Sequence, residues 1–156
     1  MFVIAGDHAG FELKKKIKTW FDKIGEIYYD CGPDKIASDD SFVLYAKDAI
    51  EHFKKNCKQG DILLLICGSG IGMSIVANRD SQIRAVLAYT EKQAKQSRLH
   101  NNANCICLGA RNTSFWRAKR IIKTFQKTSF LGGKYQDRMN SIWTFCFLGY
   151  IVQLTK

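Results

Sequence analysis

A glycine-rich stretch carries the strongest chemical signal in this sequence. Residues 67–74 read Cys-Gly-Ser-Gly-Ile-Gly-Met-Ser and follow the most continuous apolar run, Ile62 to Ile66. The run predicts a buried strand, and glycines at alternate positions predict a tight turn into a helix. Backbone N–H groups at the start of a helix can bind an anion, and they favour the thiolate form of a nearby cysteine. The stretch therefore predicts an anion-binding turn with a reactive thiol, Cys67.

Plainer interpretations of this stretch stay open when only its residues are considered. A glycine-rich turn after a strand often serves packing alone, and a cysteine at the end of a buried strand is commonly inert. The spacing of Gly68, Gly70 and Gly72 differs from G-x-G-x-x-G, and no Lys-Ser or Lys-Thr pair follows. The sequence therefore does not indicate a dinucleotide site or a nucleoside triphosphate loop at this turn.

Histidines and cations elsewhere in the chain could complete a site around the turn. Asp7 and His8 follow a short apolar run at the amino terminus, and His100 follows a predicted helix. An imidazole titrates near neutral pH and can pass protons to a sugar oxygen, although a lone histidine is more often a surface or capping residue. We expect both histidines at the same edge of the predicted sheet. Three cations follow glycines or a strand end, where they could clamp a phosphate: Arg111, Lys134 and Arg138.

The elements that position these residues alternate between strand and helix five times. The predicted strands cover residues 1–5, 26–31, 62–66, 83–88 and 103–108, and the predicted helices cover 11–24, 42–53, 73–78, 91–99 and 114–126. Apolar strands that alternate with amphipathic helices indicate a parallel sheet covered on both faces. We therefore predict a three-layer α/β/α sandwich with a five-stranded, Rossmann-like parallel sheet. Ligand sites in such sheets lie beyond the carboxyl ends of the strands, where the predicted site residues fall.

Composition narrows the class of protein. A chain of 156 residues with 46% hydrophobic residues suits one domain. The formal net charge of +10 suits nucleic acid, an anionic surface or an anionic small substrate, and charge alone does not choose among them. We interpret the basic runs, such as Lys14-Lys15-Lys16 with Lys18, as solvated helix faces. The Met-Phe-Val-Ile start does not resemble a secretory signal, so we expect a cytoplasmic protein. In that compartment the six cysteines indicate reduced thiols rather than disulfides. The absence of C-x₂-C pairs argues against a zinc site.

Five segments, in order along the chain, carry a specific family pattern: residues 6–10 (Gly-Asp-His-Ala-Gly), 67–74, 84–86 (Arg-Ala-Val), 97–101 (Ser-Arg-Leu-His-Asn) and 108–111 (Leu-Gly-Ala-Arg). Together they resemble the ribose-5-phosphate isomerase B family, which also holds galactose-6-phosphate isomerase subunits. The resemblance spans about residues 2–142. We therefore interpret residues 1–142 as a single sugar-phosphate isomerase domain and residues 143–156 as an atypical apolar tail, too short for a bilayer span of about 20 residues.

The resemblance implies an aldose–ketose isomerase of the pentose phosphate pathway that needs no metal or other cofactor. It implies that ribose 5-phosphate and ribulose 5-phosphate interconvert through a cis-enediolate, with Cys67 moving a proton between C2 and C1. It implies that His100 opens the furanose ring and that Asp7 and Asn101 bind sugar hydroxyls. Backbone amides would stabilise the enediolate oxygen, with help from the Ser69 side chain, at Gly68, Ser69, Gly70, Ile71 and Gly72. The phosphate would contact His8, Arg111, Lys134 and Arg138.

The resemblance further implies a homodimer, or a dimer of dimers, whose site is shared between subunits. Two departures from the family pattern affect the expected pocket. Lys134 stands where the family usually has arginine, so a forked contact becomes a point charge. Residues 41–43 read Ser-Phe-Val where the family has Asp-Tyr-Pro, which removes polar groups from the pocket rim.

Two other functions stay open from the sequence. One is an isomerase of six-carbon sugar phosphates, such as galactose or allose 6-phosphate. The other is a non-catalytic protein that uses the same fold and the net charge of +10 to bind nucleic acid or another anion. Aromatic and basic residues do not interleave along the sequence, so we do not expect nucleic acid as a partner. We expect no membrane partner either, since the apolar tail is too short to span a bilayer.

Overall fold

The computed structural model describes residues 1–33, 35 and 40–142. The predicted apolar tail, residues 143–156, lies outside the described residues. The strands are β1 (Phe2–Gly6), β2 (Tyr28–Asp30), β3 (Ile62–Cys67), β4 (Ala85–Leu87) and β5 (Cys105–Gly109). The helices are α1 (Phe11–Ile24), α2 (Phe42–Asn56), α3 (Ile71–Ala77), α4 (Glu91–Asn101) and α5 (Phe115–Lys127), followed by α6, which is described over 134–142.

The five strands form one sheet in the order β2-β1-β3-β5-β4, and every neighbouring pair is parallel. Ile4 of β1 lies opposite Leu64 of β3, and Leu64 lies opposite Ile106 of β5. From β1 the chain moves to one side of the sheet for β2 and to the other side for β3. The turns after β1 and β3 therefore flank the position where the strand order reverses, which is the usual ligand site of an open parallel sheet.

Helices cover both faces of the sheet, which confirms the predicted three-layer α/β/α sandwich. One apolar core joins the sheet to α1, α4 and α5, and the other joins it to α2 and α3. Alternate strand residues supply the two cores, because successive side chains of a strand point to opposite faces. Ile4, Leu64 and Ile106 lie in the first core, whereas Val3, Leu63 and Cys105 lie in the second.

Local sequence explains where the first helix lies and ends. α1 buries Leu13, Ile17, Trp20 and Phe21, whose spacing of three or four residues forms one stripe facing the sheet. The helix ends at Gly25, whose φ of 67° is a left-handed conformation that favours glycine.

The described part of the chain contains five cysteines. All five are free: Cys31, Cys57, Cys67, Cys105 and Cys107. Cys105 and Cys107 are buried on the same face of β5, with their Sγ atoms 4.0 Å apart. Residues 1–33, 35 and 40–142 hold no group of three or more His, Cys, Asp or Glu that could bind a metal ion. Within the same ranges, no helix is long and apolar enough to cross a membrane.

Candidate active site

The turns after β1 and β3 are in direct contact at the carboxyl edge of the sheet. The backbone N–H of Asp7 donates to the carbonyl oxygen of Ile66 at 3.3 Å. A Cβ on Gly10 would lie 2.3 Å from the same oxygen, so only glycine permits this approach. The buried Asp7 carboxylate accepts a hydrogen bond of 2.9 Å from the N–H of Gly10, which closes the first turn. The polar residues after β1 are thereby held beside the glycine-rich turn after β3.

The glycine-rich turn holds the Cys67 sulfur at its mouth. Cys67 is 5% exposed, and its Sγ accepts a hydrogen bond of 3.1 Å from the N–H of Gly70. Gly70 has a φ of 78°, and a Cβ there would lie 2.5 Å from Cδ1 of Leu87. The position therefore requires glycine for both its backbone conformation and its space.

Two of the five amides expected to face an enediolate already have acceptors within the turn. The Gly70 N–H donates to the Cys67 sulfur, and the Ile71 N–H donates to the Ser69 Oγ at 3.3 Å. The Ser69 carbonyl oxygen in turn accepts a hydrogen bond of 2.8 Å from the Tyr89 hydroxyl. Tyr89 was not among the sequence-predicted site residues, and it links the start of α4 to this turn.

Arg111 lies against the same turn. Its backbone N–H donates to the carbonyl oxygen of Gly68 at 3.0 Å. A Cβ on Gly68 would lie 2.9 Å from the Arg111 Cζ, so the absence of a side chain lets the guanidinium lie against the backbone. The charge of Arg111 also acts electrostatically on His8, which places both cations at one edge of the sheet. Their placement at this edge is the one expected from the sequence, and their contact with a phosphate stays a prediction.

His8 has a partner that sequence reasoning missed. Its Nδ1 lies 2.5 Å from Oδ1 of Asp40, and its backbone N–H donates to the same oxygen at 3.2 Å. The hydrogen bond that the His8 ring donates to Asp40 is the main cause that raises the pKa of His8 above its usual value. The Asp40 side chain is 3% exposed, so its carboxylate is screened from water. His8 therefore keeps its positive charge to a higher pH than an isolated histidine would.

Asp40 bears on the expectation that Ser-Phe-Val at residues 41–43, in place of the family's Asp-Tyr-Pro, removes polar groups from the pocket rim. The pocket rim retains a carboxylate one residue before Ser41, directed at His8. Phe42 packs on the glycine-rich turn, because a Cβ on Gly72 would lie 2.7 Å from its ring. Phe42 therefore keeps an aromatic ring over the turn, without the hydroxyl of the family's tyrosine, while Asp40 keeps a charged partner for the histidine.

A buried ion pair anchors the chain after β2 at this edge. The Lys14 Nζ donates to Asp30 at 2.9 Å and to the carbonyl oxygen of Pro33 at 3.3 Å. Asp30 also accepts hydrogen bonds from Lys18 and from the N–H of Gly32. Burial raises the pKa of Asp30, but these bonds outweigh it and the pKa is lowered overall. The interpretation of Lys14 as part of a solvated face was wrong, since it is 2% exposed.

A second group of predicted site residues surrounds a tyrosine on α6. The rings of His100 and Tyr135 are stacked, with centroids 4.5 Å apart and planes 16° apart. Lys134 Nζ and Arg138 Cζ lie 5.4 and 5.5 Å from the centroid of the Tyr135 ring. Tyr135 was not predicted as a site residue, because only its place between the two cations distinguishes it in the sequence. We call this group the His100 cluster: His100, Asn101, Lys134, Tyr135 and Arg138. The Cys67 cluster is Asp7, His8, Cys67, Gly68, Ser69, Gly70, Ile71, Gly72 and Arg111.

Within one chain the two clusters lie at opposite ends of the strands, with the Cys67 cluster at the carboxyl ends and the His100 cluster at the amino ends. α4 starts beside the glycine-rich turn, where Tyr89 bonds to Ser69, and its eleven residues rise by about 16 Å toward the other edge. His100 lies in the last turn of α4. Asn104 follows at the amino end of the sheet, where its carbonyl oxygen accepts a hydrogen bond from Leu63. The expectation that His8 and His100 share one edge is therefore wrong, because a crossover helix returns the chain to the start of the next strand.

Comparison with known proteins agrees with this architecture. A family model described as Ribose/Galactose Isomerase matches residues 2–142. The chain belongs to this family. As a member of the ribose/galactose isomerase family it is an aldose–ketose isomerase, which confirms the resemblance found in the sequence. A putative sugar phosphate isomerase of Rickettsia typhi is 39% identical over 140 residues, which cover 90% of this chain and 95% of the relative. Ribose-5-phosphate isomerase B of Escherichia coli is 33% identical, over 87% of this chain and 89% of the relative.

The family likeness extends to the three-dimensional structure. The crystal structure of ribose-5-phosphate isomerase B from Mycoplasma genitalium, with bound ribulose-5-phosphate, superposes with a TM-score of 0.86. The two chains are 33% identical, and the match covers 92% of this chain and 94% of the other. The predicted fold class is thereby confirmed against a member of the family that binds a pentose phosphate.

Proposed function

We propose that the protein interconverts ribose 5-phosphate and ribulose 5-phosphate, with Cys67 as the group that moves the proton. The observation that carries this proposal is the position of the Cys67 sulfur. It lies at the mouth of a glycine-rich turn at the switch point of the sheet, fixed by the Gly70 N–H. The family relative with bound ribulose-5-phosphate supports a pentose phosphate as the substrate. The free cysteines of the described residues support a cytoplasmic location.

In this proposal the thiolate acts on carbon as a base. It removes the C2 proton of the open-chain aldose, the C2–H electron pair forms the C1–C2 double bond, and the former C1=O π pair moves to the C1 oxygen to give an enediolate. The proton then returns from Cys67 to C1 on the electron pair of the double bond, while the C2 hydroxyl gives up its proton, which passes to the C1 oxygen, and becomes the ketone oxygen. Amides at Gly68, Ser69 and Gly72 are the donors that the turn leaves for the enediolate oxygen. His8 and Arg111 supply positive charge for the phosphate at the same edge.

We further propose that each site is built from two subunits. Ring opening by His100 and phosphate binding by Lys134 and Arg138 require the His100 cluster, which lies at the far edge of the same chain. A second subunit can bring its own His100 cluster to the Cys67 cluster, as expected for the isologous interface of a homodimer.

The face formed by α2 and α3 suits such an interface. It exposes large apolar side chains next to the glycine-rich turn, with Leu44 at 62%, Ile71 at 50% and Ile75 at 54% exposure. A groove of about 430 Å³ runs between the two helices. Contiguous apolar surface of this kind is characteristic of protein–protein interfaces. Pairing through this face would place a partner directly beside Cys67 and His8.

A coupled assay with purified protein tests the proposed activity. We expect turnover of ribose 5-phosphate, with a kcat/KM above that for galactose or allose 6-phosphate. Cys67→Ala should lower kcat by at least about a hundredfold, since it removes the base. Cys57→Ala, which removes a thiol at the end of α2, should leave kcat unchanged. Turnover by Cys67→Ala at the rate of the unmodified protein would refute the role of the thiol. Faster turnover of six-carbon sugar phosphates would mean that these are the substrates, while the proposed role of Cys67 would stand.

A further inference from the structure

A groove between α1 and α5 combines lysines with aromatic rings and takes no part in the proposed isomerase site. It has a volume of about 420 Å³ and lies on the face of the sheet opposite α2 and α3. Its charged lining consists of one glutamate, Glu12, and four lysines: Lys15, Lys16, Lys23 and Lys119. Subunits that pair through α2 and α3 would leave this groove open. The groove is therefore a separate, strongly cationic surface.

Lysine ammonium groups lie over the aromatic rings of the groove. The Lys119 Nζ lies 5.3 Å from the ring centroid of Trp20 and 5.5 Å from that of Trp116, so it bridges the two indoles. The Lys123 Nζ lies 5.8 Å from the Trp20 centroid. Trp20 is 5% exposed and forms the floor, whereas Trp116 is 68% exposed. A large exposed indole beside several cations is a stacking surface with positive charge at its edge.

The fold creates this arrangement from parts that are far apart in the sequence. About a hundred residues of sequence separate Trp20 and the lysines of α1 from Trp116 and Lys119 of α5. The absence of interleaved aromatic and basic residues along the chain was the reason to expect no nucleic acid. The structure interleaves them across two neighbouring helices, which removes that reason.

We propose that the groove between α1 and α5 binds single-stranded nucleic acid, with bases stacked on Trp116 and phosphates on the surrounding lysines. From Lys15 to Lys23 the groove extends about 12 Å along α1, enough for a short length of phosphate backbone. A flat base matches the exposed indole, and each phosphate matches a lysine. A membrane surface fits less well, because the groove is concave and Trp20 is covered. The proposal does not depend on the isomerase activity.

Fluorescence anisotropy with a labelled twelve-nucleotide oligouridine tests the proposal. If four lysines each neutralise one phosphate, affinity should fall about fiftyfold between 50 and 200 mM salt. The double variant Lys23→Gln/Lys119→Gln, which leaves two of the four lysines, should bind more weakly, with a fall of only about sevenfold over the same range. Trp116→Ala should lower affinity about tenfold, because it removes a stacking surface. Isomerase activity should be unchanged in all of these variants.

The matched control is Lys55→Gln/Lys58→Gln, which removes the same charge from exposed positions around the end of α2. It should retain the affinity and salt dependence of the unmodified protein. Equal weakening by the control would overturn the proposal, because binding would then reflect net charge alone. Unchanged affinity in Trp116→Ala would overturn it as well. So would the absence of oligonucleotide binding at 50 mM salt, including the case in which the protein binds vesicles of anionic phospholipid instead.

Discussion

Subunit mixing gives the sharpest prediction for a site built from two chains. Cys67→Ala and His100→Ala each remove one essential group from every site of a homodimer, so each variant alone should be nearly inactive. In a heterodimer of the two variants, one site contains both substitutions. The other site contains neither, because it takes Cys67 from one chain and His100 from its partner. The heterodimer should therefore show about half the activity of the unmodified dimer.

The assay uses two affinity tags, one on each variant, and tandem purification of the co-expressed heterodimer before a coupled isomerase assay. A heterodimer of Cys67→Ala with Arg111→Gln is the matched control. Both substitutions lie in the Cys67 cluster, so each site keeps one defect and activity should not return. An inactive heterodimer of Cys67→Ala with His100→Ala would refute the two-chain site. Such a result would mean that the sites do not exchange residues between subunits.

Three further predictions follow from individual contacts. Asp40→Asn should lower the pKa of His8, so that KM for the sugar phosphate begins to rise at a lower pH than in the unmodified protein, as pH–rate profiles would measure. Gly70→Ala should lower the free energy of unfolding by about 3 kcal/mol and reduce kcat, because it adds backbone strain and a clash inside the turn. Lys14→Met should lower the free energy of unfolding at pH 7 by about 2 kcal/mol, since Asp30 loses a buried partner, and denaturant titration would measure the loss.

Each of these predictions has an outcome that would contradict it. An unchanged pH profile of KM in Asp40→Asn would mean that His8 does not hold the phosphate as a cation. Gly133→Ala is the control for Gly70→Ala, because Gly133 has a φ of 54° but nothing within 4 Å of the added Cβ. Gly133→Ala should lower the free energy of unfolding by only about 1 kcal/mol. An equal loss in both variants would show that the clash with neighbouring atoms does not contribute at Gly70.

The control for Lys14→Met is the pH dependence of its effect. The pKa of Asp30 is lowered in the folded protein, so the stability that its ion pairs supply is present above its unfolded pKa and is lost as the pH falls through its folded pKa. The difference between Lys14→Met and the unmodified protein should therefore shrink in acid. A difference that stays constant through this range would assign the effect of Lys14 to packing alone.

Periodicity in the sequence predicted most elements of the fold. Helix α1 has the predicted bounds, Phe11 to Ile24, because an apolar stripe and the terminal glycine both mark it. Strand β3 differs by one residue from its predicted range, 62–66. The glycine-rich turn was also predictable, since Gly70 takes the left-handed conformation that its residue type permits. Such features depend on a few neighbouring residues, so local sequence is enough to determine them.

The site was less predictable, because the direction of each helix decides at which end of the strands the following residues lie. His100 lies in the last turn of α4, and only the direction of that helix relative to the sheet shows that it lies at the opposite end of the strands from Cys67. Asp40 was missed because it is separated from His8 by 32 residues, and no spacing rule joins them. Lys14 looked like part of a solvated face, yet Asp30 draws it into the interior. Each of these contacts is made between segments distant in sequence.

A crystal structure of the protein with bound ribulose 5-phosphate tests the central claim most directly. We expect the Cys67 Sγ at about 3–3.5 Å from C1 or C2 of the sugar, a distance at which a proton can move. We also expect that the histidine nearest the sugar oxygens is His100 of the partner subunit, with His8 and Arg111 at the phosphate. A sugar whose C1 and C2 face away from Cys67 would refute proton transfer by the thiol, and a site completed within one chain would refute the shared site.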